Sequence, residues 1–368
     1  MTDESIDLTT IGLFSLVGLP YTLKFLWAPF LDRWVPPLLG RRRGWILVGQ
    51  VALAGALLLL AYSQPKLSPL FMAFTAMLVT FFSSTQDVAI DAYRRDVLED
   101  EELGLGSALA VNGYRIGMLV AGAGALALAD HFPWKWVYGL MAAVMLLSSA
   151  FTFFAPEPVH ESSPPKSLRQ AVVQPFIEFL SRDGAWLFLT FILLYKVGDA
   201  LASTQFTPFY LLSGYTKTEI AAVAKVFGFW ATIVGGLIGG IFILRQGFYR
   251  SLWVFGVLQA VSTLAFAWLS LVPAHWSALA IVIGFENLTS GMGTSAYAGF
   301  MAKLCNRQFT ATQYALLSSL MGIPRVVIGS SGGWLATQLG WYGFFILCTL
   351  AAIPGLLLLL KIRRFSVS

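Results

Sequence analysis

Apolar residues run along this chain in long blocks broken by short polar or charged turns. Eleven blocks can be delimited: Thr9 to Leu31, Trp45 to Tyr62, Leu67 to Tyr93, Gly104 to Ala129, Trp136 to Phe154, Ala185 to Leu212, Glu219 to Leu244, Leu252 to Leu271, Trp276 to Met301, Thr310 to Leu339 and Trp341 to Leu360. An α-helix rises about 1.5 Å per residue, so about 20 apolar residues cross a hydrocarbon layer of ~30 Å. Most of the blocks reach that length, with residues to spare for tilt. The pattern predicts an all-α integral membrane protein with eleven transmembrane helices. Trp27, Trp45, Trp136, Tyr210, Trp276 and Trp341 fall near block ends, where amphipathic rings anchor a span at the lipid interface.

Composition supports lipid as the solvent. Apolar residues make up 57% of the 368 positions and charged residues 12%, about half the ~25% usual in soluble domains. Two cysteines allow no disulfide framework. Cys305 stands at a helix end near Lys303 and Arg307, and Cys348 lies deep in an apolar run, so neither suggests a metal site or a redox pair. A net charge of +5 would suggest nucleic acid in a soluble protein, but here the bases sit in short loops and report orientation. With the Arg33 to Arg43 loop placed in the cytoplasm, cytoplasmic segments hold sixteen Lys and Arg and external loops hold Lys66, Lys135 and Lys217. The positive-inside bias then puts the C-terminus in the cytoplasm. It also leaves the first span starting outside, after the acidic stretch Met1 to Asp7. That odd count leads to the expectation of one further helix upstream, twelve in all.

The longest connection, Ala155 to Gly184, carries Pro156, Pro158, Pro164 and Pro165, then Leu168, Val172, Phe176 and Leu180 at i, i+4 spacing. This predicts an amphipathic helix on the membrane surface, linking a five-span bundle (1–154) through 155–184 to a six-span bundle (185–368).

Besides Glu219 at the very start of its block, nine Lys, Arg, Asp and Glu lie inside the blocks. Numbered with the expected upstream helix as the first, Lys24 is on the second helix, Asp87 and Asp91 on the fourth, and Arg115 on the fifth. Lys196 and Asp199 are on the seventh, Lys225 on the eighth, Glu286 on the tenth and Arg325 on the eleventh. The third, sixth, ninth and twelfth carry none. Charge in hydrocarbon is costly unless it faces water or a partner. Any one of these could be a buried structural pair, but nine in one regular pattern argue for a wet interior with the charge-free helices outside. Such a period of three in helix role resembles the major facilitator superfamily, built from two pseudo-symmetric helical bundles. Arg115 lies twenty residues after Arg95 and Arg325 eighteen after Arg307, a weak echo between halves. Gly113 with Gly117, and Gly235, Gly236, Gly239 and Gly240, have the spacing of close helix packing. The loop Asp32, Arg33 through Gly40, Arg41, Arg42 and Arg43 resembles the superfamily's cytoplasmic gating signature, with extra residues between its two parts.

The strings YTLKFLWAPFLDRWVPPLLGRRRGW, SSTQDVAIDAYRRDVL, NGYRIGMLVAG, LLYKVGDA, FENLTSGMGTSA and ATQYALLSS are similar to AmpG-type muropeptide permeases of Gram-negative inner membranes. The resemblance runs from about Ile6 to the end. It implies proton-driven uptake of anhydromuropeptides for cell-wall recycling and β-lactamase induction. It also implies no cofactor besides the proton gradient, no nucleic-acid partner, a membrane-lipid environment and a monomer.

The residues suit that cargo. The spans hold five bases and four acids, so protonating one or two acids makes the interior net positive toward an anion. Arg115, Lys196 and Arg325 are expected to clamp carboxylates, with Lys24 alongside. Tyr114, Tyr195 and Tyr21 are able to stack on sugar rings, although helix packing is an equal use for them. Gln86, Asn287 and Thr289 offer hydrogen bonds to amides and hydroxyls. Asp87 is the first expectation for proton coupling. Asp91, four residues on, shares its face and is assigned to contacts with the Arg41 to Arg43 loop, and Asp199 and Glu286 come next. Two other readings are import of another bulky anion such as an acyl-CoA-like solute, and a membrane-embedded transferase. His131, His160 and His275 are scattered over different loops and form no catalytic constellation.

Overall fold

The computed structural model of the protein describes residues 17–64, 68–156, 158 and 163–365, the side chains of residues 325, 326 and 365 excepted. Residues 9–16 of the first apolar block, Lys66, His160 and the Arg325 side chain lie outside the described residues.

The described chain is helical from end to end. Seven stretches are long and apolar enough to cross a membrane: Gly40–Ala61, Pro69–Val97, Leu103–Ala129, Trp134–Phe154, Ala185–Leu212, Lys217–Leu269 and Thr310–Ile362. The last two, of 53 residues each, would span about 80 Å as straight helices, far more than a bilayer core. Each contains a break at a glycine with positive φ, Gly247 (φ 76°) and Gly340 (φ 67°), a backbone state that only glycine adopts without strain. Phe242 and Phe255 show that the chain folds back at the first break. Their rings are 5.3 Å apart, whereas thirteen helical steps would separate them by about 20 Å. Trp276–Leu304 adds a further 29-residue helix between these two stretches. The first apolar block appears as two short helices, Leu19–Leu23 and Ala28–Arg33, joined by a 3₁₀ turn at Lys24–Leu26. Pro20 and Pro29 stand at their starts, where the missing N–H leaves no bond unmade.

The chain divides into two compact units. One comprises Met1–Val97, Tyr114–Ile177 and Cys305–Ser319, and the other Leu98–Gly113, Glu178–Leu304 and Leu320–Ser368. In the first, Ala28, Leu31, Ile46, Val88, Ala89 and Ala92 pack with Ala311 and Ala315. Small side chains there let the backbones approach closely. Within the same unit the Trp134–Phe154 helix buries only 17% of its apolar window, as an outer helix should. Gly40–Ala61, also without charges along its apolar length, buries 44%. Neighbours on two sides cover it. Gln50 accepts from Thr152 (2.9 Å) and donates to Ser148 (3.1 Å), while Gly49 lies against Gln86.

In the second unit an aromatic core of Phe209, Phe266, Phe344 and Phe345 is fully buried. The Gly228–Leu269 and Trp276–Leu304 helices touch backbone to backbone. A Cβ on Gly235 would stand 2.0 Å from the Leu288 carbonyl oxygen, and one on Gly291 2.3 Å from that of Thr232. Gly113 and Gly117 differ: among the described residues nothing lies within 4 Å of a Cβ at either, so their spacing marks no packing face there. The linker helix is Leu168–Leu180, but Ala171, Pro175 and Phe179 form its buried side. The stripe Leu168, Val172 and Leu180 stays exposed, with Phe176 half-buried, which leaves it free for the lipid boundary.

Candidate functional site

Three groups of buried charge stand out, two in the first unit and one in the second. In the first group the 3₁₀ turn places Lys24 against the Pro69–Val97 helix, where its Nζ meets Asp87 Oδ2 at 2.6 Å. The two ends of the pair differ. The Lys24 side chain is 7% exposed and that of Asp87 43%, so the acid alone has access to water. Beside them Tyr21 OH lies 2.6 Å from Ser83 Oγ, and Trp27 donates to Thr85 (3.0 Å). Gln86 is buried, with its carbonyl oxygen unpartnered among the described residues. One turn along, Asp91 pairs with Arg94 (2.9 Å), and Arg94 donates to Tyr314 OH (2.9 Å) while stacking over that ring. Tyr114 is exposed, and Arg115, half-buried, extends over its ring with a buried Nε that no acceptor among the described residues meets.

The second group is the loop signature itself. Asp32 is fully buried and accepts from Arg42 Nη2 (3.0 Å), from the backbone N–H of Ala311 (3.2 Å) and Thr312 (2.8 Å), and from Thr312 Oγ1 (2.7 Å). Its carboxylate thus satisfies the free amides at the start of the Thr310–Val327 helix, where the helix dipole favours negative charge. Arg42 spans from Asp32 to Asp96, donating from Nε to Asp96 Oδ2 at 2.6 Å, and Thr310 Oγ1 closes the ring on Asp96 Oδ1 (2.7 Å). Arg41 reaches the Asp32 carbonyl (3.4 Å), and Arg43 donates to the Ala155 carbonyl (2.9 Å). Arg33 is half-buried at the end of its helix. The partner of Arg42 is therefore Asp96, and Asp91, expected there, is engaged by Arg94. Asp91 and Asp96 stand five residues apart, which turns them about 140° from each other on the helix.

The third group lies in the second unit. The helical run is interrupted at Tyr195 and Lys196, and Lys196 Nζ donates to Gln259 Oε1 (2.9 Å) and stands 3.4 Å from Asp199 Oδ2. Glu286 is buried and accepts from Ser262 Oγ. Thr289 donates to the same Ser262 (3.2 Å). Asn287 spends its amide locally, accepting from Thr232 (2.9 Å) and donating to the Ile283 carbonyl. Tyr195, expected at the cargo, is buried, donates to the Leu252 carbonyl (2.9 Å) and stacks on Tyr297 at 5.4 Å. Those surroundings suit packing, not a sugar ring.

Sequence reasoning thus identified most of the charges but missed several of their partners, namely Asp96, Thr310, Thr312, Tyr314, Gln259 and Ser262. The last two sit on a helix expected to be peripheral because it carries no charge. A signal was present in Gln259, Ser262 and Thr263, polar at i, i+3, i+4 in an apolar run. Among the described residues no group of three His, Cys, Asp or Glu could hold a metal ion.

Comparison with known proteins bears on this arrangement. Residues 1–329 match the family model of the Major Facilitator Superfamily. The chain is 45% identical over 366 residues to the anhydromuropeptide permease of Escherichia coli K12, covering 99% of this chain and 74% of that protein. It is 36% identical over 373 residues to a putative transporter, AmpG 4, of Rickettsia conorii, covering 99% and 90%. Among solved structures it is similar to the proton:xylose symporter XylE, with a TM-score of 0.70 at 8% identity, covering 94% of this chain and 84% of that one. The human organic anion transporter TETRAN gives a TM-score of 0.69 at 15% identity, covering 95% and 84%. At such identities these structures speak for the fold.

Proposed function

This chain belongs to the Major Facilitator Superfamily, and from that membership we propose that it is a proton-coupled importer of anhydromuropeptides. It is a multi-pass membrane transporter and not an enzyme. The observation that carries the cargo is the 45% identity to the Escherichia coli permease along 99% of the chain. The charge chemistry supports it: a peptide-bearing sugar presents carboxylates, and Lys24, Lys196 and Arg115 offer cations within the spans, with Arg325 as a fourth. On the same reading the protein sits as a monomer in the inner membrane, with the Arg41–Arg43 loop and the C-terminus in the cytoplasm.

We assign proton coupling first to Glu286 with Asp199. Glu286 is buried against Ser262, no cation is bonded to it among the described residues, and a carrier needs a group able to be neutral in one state and charged in another. Asp87 comes second, since it is already bonded to Lys24. Asp91 is a still weaker carrier, fixed by Arg94. The Asp32, Arg42, Asp96 ring is assigned to closing the cytoplasmic end.

The direct test is uptake of radiolabelled anhydromuropeptide into membrane vesicles with a pH gradient imposed, alkaline inside. Accumulation above the external concentration, abolished by a protonophore, is expected. Uptake indifferent to the gradient would remove proton coupling, and no uptake would remove the cargo.

A further inference from the structure

Among the described residues Lys225 is an intramembrane base that stands apart from all three charge groups. It lies about 12 Å into its helix, counted from the capping box at Thr216 and Glu219 that marks the start. Its side chain is exposed, and no acid pairs with it among the described residues. The acids within the same unit's spans are committed elsewhere. Asp199 stands against Lys196, Glu219 closes the capping box, and Glu286 is bonded to Ser262. An ammonium at that depth is tolerated only where water or an anion reaches it.

The helix shows which of these sides it takes. One side carries Trp230, Val234, Leu237, Ile238 and Ile241, all exposed and all apolar, as a lipid face requires. Lys225 lies off that stripe, above Gly228, Thr232 and Gly236 at i+3, i+7 and i+11. That side is polar: Gly228 lies against the amide of Asn287, Thr232 donates to the same residue, and Gly236 lies against Asn112. Lower down the polar side is covered by these neighbours, and at Lys225 it is open. Residues Ala221–Phe227 also form a π-helical turn, the wide turn that α-helices retain mainly at functional positions.

We propose that Lys225 is a binding residue for a carboxylate of the cargo, at the open end of a polar row that continues through Asn287 and Thr232. The site takes organic anions, and the assignment of that anion to the muropeptide's peptide carboxylate rests on the function proposed above. An ammonium on a flexible stem suits a carboxylate whose position varies with peptide length, where a planar arginine fork would demand one geometry.

Two measurements test this on the full chain. Lys225→Gln should raise the apparent KM for an anionic muropeptide roughly ten- to a hundredfold, the loss of one charge-assisted contact, with the maximal rate within about twofold. Lys225→Arg should recover most of it, and a cargo with amidated peptide carboxylates should be insensitive to the exchange. An unchanged KM, or equal losses for both cargoes, would overturn the proposal. Independently of cargo, Lys225→Cys should react with a membrane-impermeant thiol reagent, against little background because Cys305 and Cys348 are both buried. An inert cysteine would sink the site whatever the protein carries, whereas wild-type protein without muropeptide uptake, but with a reactive cysteine at 225, would sink the cargo alone.

Discussion

Asp32 accepts a hydrogen bond from the backbone N–H of Thr312 at 2.8 Å, across 280 residues of chain. The same carboxylate holds Arg42, so one buried charge both caps a helix and anchors a guanidinium. Replacing Asp32 by Asn removes the charge from the helix start and leaves Arg42 with Asp96 alone. Breaking a buried pair from one side costs about 3–5 kcal/mol. Thermal unfolding in detergent should register that loss, and an Asp32→Asn protein melting with the parent would show that the ring stabilises nothing.

The Lys24–Asp87 pair should respond asymmetrically. Asp87→Asn strands a buried ammonium and should destabilise by about 3–5 kcal/mol. Lys24→Met strands a carboxylate that is 43% exposed and can rehydrate, so the cost should be nearer ~1 kcal/mol. The double variant should recover most of the Asp87→Asn loss, and a double-mutant cycle measures the coupling. Equal single losses would contradict the difference in exposure.

Glu286→Gln should abolish accumulation driven by a pH gradient while exchange of labelled for unlabelled cargo continues, because a glutamine resembles the protonated acid at every pH. In the parent, protons load from outside, so uptake should rise as external pH falls. In the variant that dependence should flatten. If Asp87→Asn loses accumulation and Glu286→Gln keeps it, the coupling acid is Asp87.

Glycine substitutions separate real packing from its sequence likeness. Gly235→Ala places a Cβ 2.0 Å from the Leu288 carbonyl oxygen, where neither backbone can yield, and little folded protein should survive solubilisation. Gly113→Ala and Gly117→Ala meet nothing within 4 Å and should be neutral, or gain up to about 1 kcal/mol from helix propensity. Size-exclusion profiles of the three variants decide it.

Length and hydropathy alone determined that this chain is a bundle of membrane helices, because crossing lipid demands apolar runs of one length and positive charge between them. The charged residues inside those runs were equally legible, since nothing else in an apolar helix looks like Lys196, Asp199 or Glu286. Periodicity also places Asp87 and Asp91 on one face. What the sequence does not contain is the identity of each charge's partner. Asp91 and Asp96 are both acids near the same helix end, and only the packing of that helix turns Asp96 to Arg42 and Asp91 to Arg94. Ser262 and Gln259 sit on a charge-free helix that the sequence places outside, and only the fold sets them against Glu286 and Lys196. Tyr195 looked like a sugar platform until its hydroxyl was bonded to Leu252. A helix's own sequence specifies which side faces inward. Which side chain waits there is decided by elements as far as 280 residues away, brought to within 3 Å by tertiary packing that no local pattern encodes.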